Sequence, residues 1–329
     1  MQFKMRRREL IAGLGSAAAW PLVTHAQQQG KVARIGCLSP AAGRNPVDEA
    51  FEEGLRQHGW AKDQNITIEY RYTGGRQDTV SPLVTEVIGL GMDVVVTWGP
   101  PLSLAAKQAR TQIPLVFLIT FDPVDIGLVS NLARPGGNVT GVTSLASLEI
   151  FAKRLQLVTQ FIPSLARIAV LISSEQTRSN RAKDALTAAA KGLGVELRDV
   201  SVQTPSEIEG AIRQAKDQGT EALYVWPSGF TFSFAKEISD AANANRLPSI
   251  HSFREGALAG GLLAYAADLK EEARRGAVYV DKILRGTSPA ALPVEQLSKY
   301  ELLINVRTAK ALGLNVPPTL LALADEVIE

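Results

Sequence analysis

The chain has 329 residues, of which 46% are hydrophobic, and a formal net charge of +2 at pH 7. Residues 1–26 hold four basic side chains and one acidic side chain, which leaves about −1 for the rest of the chain. That balance excludes a basic stripe for nucleic acid and a polybasic patch for a membrane surface. With Cys37 as the one cysteine, an intramolecular disulfide and a cysteine-based metal cluster are excluded as well.

Residues 1–26 are predicted to be a cleavable signal peptide. Lys4 and the arginines at 6–8 form a basic head, followed at 10–23 by 14 mostly apolar or small residues. A helix of that length is too short to cross a hydrocarbon layer about 30 Å thick. Ala26 provides a small residue at the cleavage point, and the consecutive arginines indicate the twin-arginine export route. The sequence therefore predicts a periplasmic protein without stable membrane insertion.

The first half of the remaining chain alternates short apolar runs with helical patterns. Strands are predicted over 33–39, 66–70, 93–97, 115–119 and 139–142, and helices over 46–58, 81–90, 103–110 and 126–132. The apolar runs are rich in β-branched residues and bounded by Gly, Pro or Asn. This alternation predicts a parallel sheet with helices on both faces.

The second half repeats this plan. Strands are predicted over 167–172, 195–200, 222–226, 249–252 and 261–265, and helices over 181–193, 205–218 and 234–243. The block 91–98 aligns without gaps with 219–226, and each block begins with glycine and ends with tryptophan. The turn at Pro135, with the glycines that follow it, predicts a crossover between the halves at 134–144.

Two similar open sheets joined at one crossover predict two lobes with a cleft between them. In open parallel sheets, ligands bind outside the carboxyl ends of the strands. Closing the lobes on a ligand is a hinge motion. The cleft is therefore the expected ligand site.

Short motifs in order along nearly the whole chain carry a family resemblance. Beside the twin-arginine leader they include Asp-Pro-Val at 122–124, Arg-Pro-Gly-Gly-Asn-Val-Thr-Gly at 134–141, Gly-Gly-Leu-Leu-Ala-Tyr at 260–265, Leu-Pro-Val-Glu-Gln at 292–296 and Ala-Asp-Glu-Val-Ile at 324–328. In these motifs the chain resembles periplasmic solute-binding proteins of ABC transporters, of the type-I two-lobed class. It departs from the family pattern at Ala266 and at Ser228, both placed in the expected cleft.

The resemblance implies two doubly wound α/β lobes joined by a multi-strand hinge. Because three segments link the lobes in this class, we expect lobe 1 to comprise 27–143 with about 257–290, and lobe 2 to comprise 144–256 with about 291–329. It also implies a monomeric receptor with no enzymatic activity and no cofactor. The expected partners are a small-molecule ligand, an amino acid or related organic acid that includes aromatic ones, and an inner-membrane ABC permease.

The candidate ligand-binding residues follow the predicted strand ends on both lobes. They are Ser39, Thr97, Trp98, Ser103, Phe121, Asp122, Ser173, Trp226, Ser228, Phe253, Arg254, Glu255, Tyr265 and Asp268.

Charged and polar candidates suggest how an amino acid would be held. Ser103 near a helix start, together with Arg254, suits a ligand carboxylate; Ser103 is equally suited to be a plain N-cap. Asp122 or Glu255 suits a ligand amine, and Asp122 is equally suited to cap a following helix.

The aromatic candidates leave two interpretations open. Trp98 and Trp226 occupy matching positions on opposite lobes. They either bracket a flat ligand by stacking or pack under their own loops. Phe253 and Tyr265 would add contacts to a ligand ring.

Catalytic signatures are missing from the sequence. It has no dinucleotide-binding glycine motif, P-loop, nucleophile elbow or metal-ligand spacing, and only three histidines. The alternatives to a transport receptor are a periplasmic ligand-sensing partner of a membrane signalling protein and an enzyme exported by the twin-arginine route.

Overall fold

The computed structural model describes residues 32–144, 147–173 and 179–329. The predicted signal peptide at 1–26 therefore lies outside the described residues. Residues Ala33–Glu329 form one compact unit. Among the described residues, no helix combines the length and hydropathy that a membrane span requires.

Strands and helices alternate along this unit. In chain order the first elements are β1 (Ala33–Ser39), α1 (Pro46–Gln57), β2 (Ile66–Tyr72), α2 (Val80–Gly89), β3 (Val94–Trp98), α3 (Pro100–Gln108), β4 (Leu115–Thr120), β5 (Val139–Thr143), α4 (Glu149–Phe161), β6 (Arg167–Ser173), α5 (Asn180–Leu193), β7 (Glu196–Val202), α6 (Ile208–Asp217) and β8 (Ala222–Val225). They are followed by α7 (Gly229–Ser233), α8 (Ala235–Ala244), β9 (Ser249–His251), α9 (Arg254–Leu258), β10 (Leu263–Ala267), α10 (Leu269–Leu284), β11 (Glu295–Gln296), β12 (Tyr300–Asn305), α11 (Val306–Leu312), α12 (Pro318–Leu323) and β13 (Glu326–Ile328).

These elements build two sheets. Within the described residues, the first has six strands in the order β11-β5-β4-β3-β1-β2, and the second has seven in the order β13-β12-β10-β9-β8-β6-β7. Pairing is parallel except between β10 and β12, which run antiparallel. We call the first sheet with its helices lobe 1 and the second with its helices lobe 2. The predicted class, two parallel-sheet α/β lobes, is confirmed.

Helix α1 shows how the local sequence starts these elements. Asn45 is its N-cap and accepts a backbone N–H of the first turn, while Asp48 accepts from the Asn45 backbone N–H at 3.1 Å. Pro46 suits the first helical position because its φ is already helical and its missing N–H is not needed there. Phe51 and Leu55, four residues apart, are fully buried and place one face of the helix on the core.

One predicted helix is absent from its place. Residues 126–132 form turns and bends instead. Gly127 has a φ of 72° there, in the left-handed region that ends a right-handed helical turn. The apolar residues of this segment, such as Leu128 and Val129, are buried although the segment is a loop and not a helix.

The chain passes between the sheets at three places in the described residues. The first passage follows β5, at the end of the predicted crossover. The second lies between β10 in lobe 2 and α10, whose closest helical neighbour is α1 of lobe 1. The third lies between β11 in the first sheet and β12 in the second.

The second and third passages differ from the expected boundaries near 257 and 291. Strand β10 stays in lobe 2 because it pairs with β9 on one side and β12 on the other. Strand β11 stays in lobe 1 because Glu295 and Gln296 pair with β5. Helix α10 then packs so closely on α1 that a Cβ added at Gly54 would lie 2.8 Å from the Cβ of Ala277.

Candidate ligand-binding cleft

Two neighbouring cavities lie between the lobes. The larger has a volume of about 60 Å³ and the smaller about 30 Å³. Both exceed the roughly 10–15 Å³ that one water molecule needs. They share the lining residues Pro40, Trp98, Gly99, Pro100, Phe121, Pro227, Ser228 and Gly229. Because these come from both lobes, the two cavities form one interlobe cleft.

Half of the sequence candidates line this cleft. They are Ser39, Trp98, Phe121, Ser173, Trp226, Ser228 and Phe253. Each comes from the carboxyl end of a strand or from the residues just after it, since these ends point toward the cleft in both sheets.

An indole from each lobe lines the larger cavity. Trp98 ends β3 and meets Phe51 edge-on at 5.6 Å between ring centroids. Trp226 follows β8 and stacks on Phe151 at 5.1 Å and 25°. Each ring thus packs on its own lobe and also borders the cleft, so the two interpretations from the sequence are compatible.

The ring of Trp98 carries a polar atom that nothing in the described residues satisfies. The residue is 2% exposed. Its Nε1 is buried and has no hydrogen-bond partner. Buried donors in folded proteins are almost always paired. The cleft that Trp98 lines is therefore a place where a ligand acceptor would pair this N–H.

Asp48 is a cleft residue that the sequence analysis missed. It is 1% exposed and lines the smaller cavity. One oxygen, Oδ2, accepts from the Asn45 backbone at 3.1 Å and from the Tyr72 hydroxyl at 2.9 Å. The other, Oδ1, has no partner among the described residues. Burial raises the pKa of Asp48. In the sequence, Asn45 followed three residues later by Asp48 indicates only a helix capping box. That pattern does not reveal that one oxygen of the Asp48 carboxylate has no partner.

Charge is scarce in the cleft. Among the described lining residues, Asp48 is the only ionisable group of the smaller cavity and Arg76 the only one of the larger. The Arg76 side chain is 66% exposed and lies 4.0 Å from Asp78, which leaves it free to reorient. Among the described residues there is also no cluster of three or more His, Cys, Asp or Glu side chains placed to hold a metal ion.

Thr97 and Ser103 do not line the cleft. Their hydroxyls pair at 2.8 Å, and the Ser103 Oγ donates to the Gly99 carbonyl at 2.8 Å. Helix α3 begins with Pro100 and Pro101, which have no N–H to offer. This helix start therefore lacks two of the backbone donors that a carboxylate receptor would use.

Asp122 makes contacts between the lobes instead of lining either cavity. Its carboxylate accepts from the Ser179 hydroxyl at 3.1 Å and pairs with Arg181 at 3.2 Å. Asp122 follows β4 in lobe 1, whereas Ser179 and Arg181 belong to the start of α5 in lobe 2. The helix it was expected to cap does not form. Asp122 thus links lobe 1 with lobe 2.

The charged candidates of α9 and α10 have structural partners in lobe 2 or in α10 itself. Arg254 pairs with Glu301 at 3.3 Å and with Glu326 at 2.6 Å. Asp268 is the N-cap of α10 and accepts two backbone N–H groups of its first turn. Neither residue lines the cavities, because each carboxylate or guanidinium is engaged in holding its own element.

Glu255 and Tyr265 also lie outside the two cavities. Burial raises the pKa of Glu255. Tyr265 stacks on Tyr300 at 5.6 Å between centroids and borders a separate surface pocket. The amine and ring contacts expected of them are thus not placed in the cleft.

A buried carboxyl group lies behind the cleft at the first crossover. Glu272 of α10 is fully buried and accepts from the backbone N–H of Ile119 and from the Ser144 hydroxyl, both at 2.5 Å. Burial raises the pKa of Glu272 to about 8. One side chain thus connects the end of β4 with the segment that leads into lobe 2.

Comparison with known proteins identifies relatives over nearly the whole chain. The family model described as "ABC transporter substrate binding protein" matches residues 31–328. A tyrosine-binding protein of Clostridioides difficile is 28% identical over 267 residues, covering 81% of this chain and 76% of that protein.

Two solved structures share the fold. A conserved domain protein from Vibrio cholerae has a TM-score of 0.84 at 23% identity, covering 90% of this chain and 100% of that one. An ABC domain from Streptococcus pneumoniae, solved in complex with L-Trp, has a TM-score of 0.81 at 24% identity, covering 90% and 99%. These similarities support the two-lobed architecture.

Proposed function

Since the chain belongs to the ABC transporter substrate binding protein family, we propose that it is an extracytoplasmic receptor for an aromatic amino acid. The receptor binds its ligand in the interlobe cleft and delivers it to an inner-membrane ABC permease. The observation that carries the proposal is the pair of indoles, Trp98 and Trp226, that border one cavity from opposite lobes.

The lining of the cleft supports a ligand with an aromatic ring. Phe121, Phe151 and Phe230 join the two indoles around the larger cavity. Aromatic rings in such an arrangement favour offset or edge-on contacts with another ring, worth roughly 0.5–1.5 kcal/mol beyond the area they bury. The relatives named for tyrosine binding and solved with L-Trp support the same class of ligand.

Closure of the lobes gives the receptor its mechanism. A ligand that contacts both lobes favours the closed state by its difference in affinity between the open and closed forms. Contacts across the cleft contribute: the Ser233 hydroxyl donates to the Pro40 carbonyl at 2.6 Å, and Asp122 holds Ser179. The permease then recognises the closed form.

A thermal-shift screen of residues 27–329 tests this proposal. The panel holds aromatic amino acids, aliphatic amino acids, aromatic acids without an amine, sugars and polyamines. We expect the largest shift with an aromatic amino acid; at 100 times its Kd the ligand stabilises the fold by about 2.7 kcal/mol. A shift confined to sugars or polyamines would contradict the proposal.

A further inference from the structure

Two residues that line the same small cavity each carry a buried polar atom that has no hydrogen-bond partner among the described residues. The residues are Asp48 and Trp98, and the atoms are Oδ1 and Nε1. An unpaired buried acceptor or donor costs about 1–3 kcal/mol, and more when it is charged. Two such atoms on residues that line one cavity point to a ligand that supplies both a hydrogen-bond donor and an acceptor there.

The electrostatics of this cavity favour a cation beside Asp48. No other ionisable side chain is present among its described lining residues. The nearby Arg44 is only a partial counter-charge for Asp48, because its guanidinium forms two hydrogen bonds to Glu52 at 2.7 and 2.9 Å. A buried carboxylate needs a charged or hydrogen-bonding partner to stay ionised.

The carboxylate is also held in one orientation. Its Oδ2 is fixed by the Asn45 backbone at the start of α1 and by the Tyr72 hydroxyl of β2. The unpaired Oδ1 is therefore held in a fixed position. A ligand that binds it loses little free energy in ordering the carboxylate.

We propose that the smaller cavity is the ammonium subsite of the cleft. The Oδ1 of Asp48 accepts a hydrogen bond from the primary ammonium of the ligand, and the Nε1 of Trp98 donates to an oxygen of the same ligand. The inference rests on the proposed function and deepens it, since it requires an amino acid and not merely an aromatic acid. It also moves amine recognition from Asp122 and Glu255 to Asp48.

Calorimetric titration with matched ligand pairs tests the subsite. The pairs are L-tyrosine with 3-(4-hydroxyphenyl)propionate and L-tryptophan with indole-3-propionate, which differ only in the ammonium. We expect the wild-type protein to bind at least one amino acid about tenfold or more tightly than its deaminated partner. In Asp48→Asn that preference falls to about threefold or less, while affinity for the deaminated partner stays within about threefold.

Asp268→Asn is the matched control. It makes the same exchange of atoms at the start of another helix, outside both cavities, and asparagine also serves as an N-cap. We expect this variant to keep the wild-type preference for the ammonium. Trp98→Phe retains a ring and removes the N–H, so both members of a pair should lose affinity by a similar factor of about three to ten.

The possible failures are distinguishable. If an aromatic amino acid binds and Asp48→Asn weakens both members of the pair equally, or neither, the subsite is overturned and the proposed function stands. If no aromatic amino acid binds the wild-type protein, the proposed function fails and the subsite with it. If Asp48→Asn does not fold, the wild-type comparison decides: a preference for the ammonium below about threefold overturns the subsite.

Discussion

Asp48 and Asp122 are both buried carboxylates of lobe 1 close to the cleft, yet their hydrogen bonding differs. Asp122 is engaged by Ser179 and Arg181 of lobe 2. Asp48 uses one oxygen inside lobe 1, and its other oxygen has no partner in the part of the chain that the structure describes. A carboxylate with partners across the cleft serves closure, whereas one with an unpaired oxygen on a cavity wall is available to a ligand. Position at a strand end pointed to Asp122, which follows β4, and passed over Asp48, which lies in the first turn of α1.

Glu272 provides a third case, with both oxygens engaged at the first crossover. Glu272 lines neither the larger nor the smaller cavity of the cleft. Its carboxyl group instead joins the end of β4 to Ser144. The three acidic residues thus lie at the first crossover, between the lobes and in the proposed ammonium subsite, and each role can be tested.

The largest expected effect is the pH dependence of stability at Glu272. Burial raises its pKa from an ordinary 4.5 to about 8. Between these values the folded protein keeps a proton that the unfolded chain releases, so stability falls as pH rises from about 4.5 to 8. Glu272→Gln removes this loss, which is on the order of a few kcal/mol. Urea unfolding of both proteins at pH 5, 7 and 9 measures the difference; parallel pH curves would show that Glu272 does not titrate in this way.

The next effect is on binding at Asp48. Asp48→Ala removes both oxygens, so an aromatic amino acid should lose affinity by about tenfold to a hundredfold, as expected for a hydrogen bond to a charged group. The fold loses about 1 kcal/mol as well, because the capping box of α1 is broken. Calorimetry and thermal unfolding on the same sample separate the two losses. Unchanged affinity with reduced stability would assign Asp48 to structure alone.

Asp122→Asn should weaken all ligands alike. It removes the charge that pairs with Arg181 and weakens the hydrogen bond from Ser179 but leaves the binding surfaces intact, so closure becomes less favourable by about 1 kcal/mol, or roughly fivefold in affinity. The loss should be equal for an amino acid and its deaminated partner. The ligand-free variant should also show a larger radius of gyration in solution scattering. Selective loss of the amino acid would instead return amine recognition to Asp122.

Arg181→Ala should have a smaller effect than Asp122→Asn. The Arg181 side chain is 61% exposed, and exposed ion pairs contribute about 0–1 kcal/mol because solvent screens them. Affinity measured in low and high salt should differ less in this variant than in the wild-type protein. A loss as large as that of Asp122→Asn would mean that the ion pair, not the Ser179 hydrogen bond, holds the lobes.

The smallest effect on binding is expected at Ser103. Ser103→Ala removes hydroxyl contacts to Thr97 and Gly99, so stability should fall by about 1 kcal/mol. Affinity for every ligand should stay within about twofold of wild type. A drop in affinity for carboxylate ligands would restore this helix start as a carboxylate receptor.

Much of the fold was accessible from local patterns. The alternation of β-branched runs and helical spacing predicts two parallel sheets because strand and helix periodicities depend on neighbouring residues. The tryptophans at positions 98 and 226 were found in the same way, since Trp98 ends β3, Trp226 directly follows β8, and the carboxyl ends of parallel strands meet at one edge of a sheet. Seven of the candidate residues therefore line the cleft.

The sequence by itself determined the two-lobed α/β plan, the crossover after β5 and the aromatic walls of the cleft. Only the tertiary structure decided which acidic residue faces the cavity and where the later crossovers fall. Asp48 is oriented by Tyr72, Asp122 is engaged by Ser179, and β10 is held in lobe 2 by β12. Each of these partners lies 24 or more residues away in the chain. Hydrogen-bond pairing over such separations exists only after the elements have packed, so no local pattern encodes it.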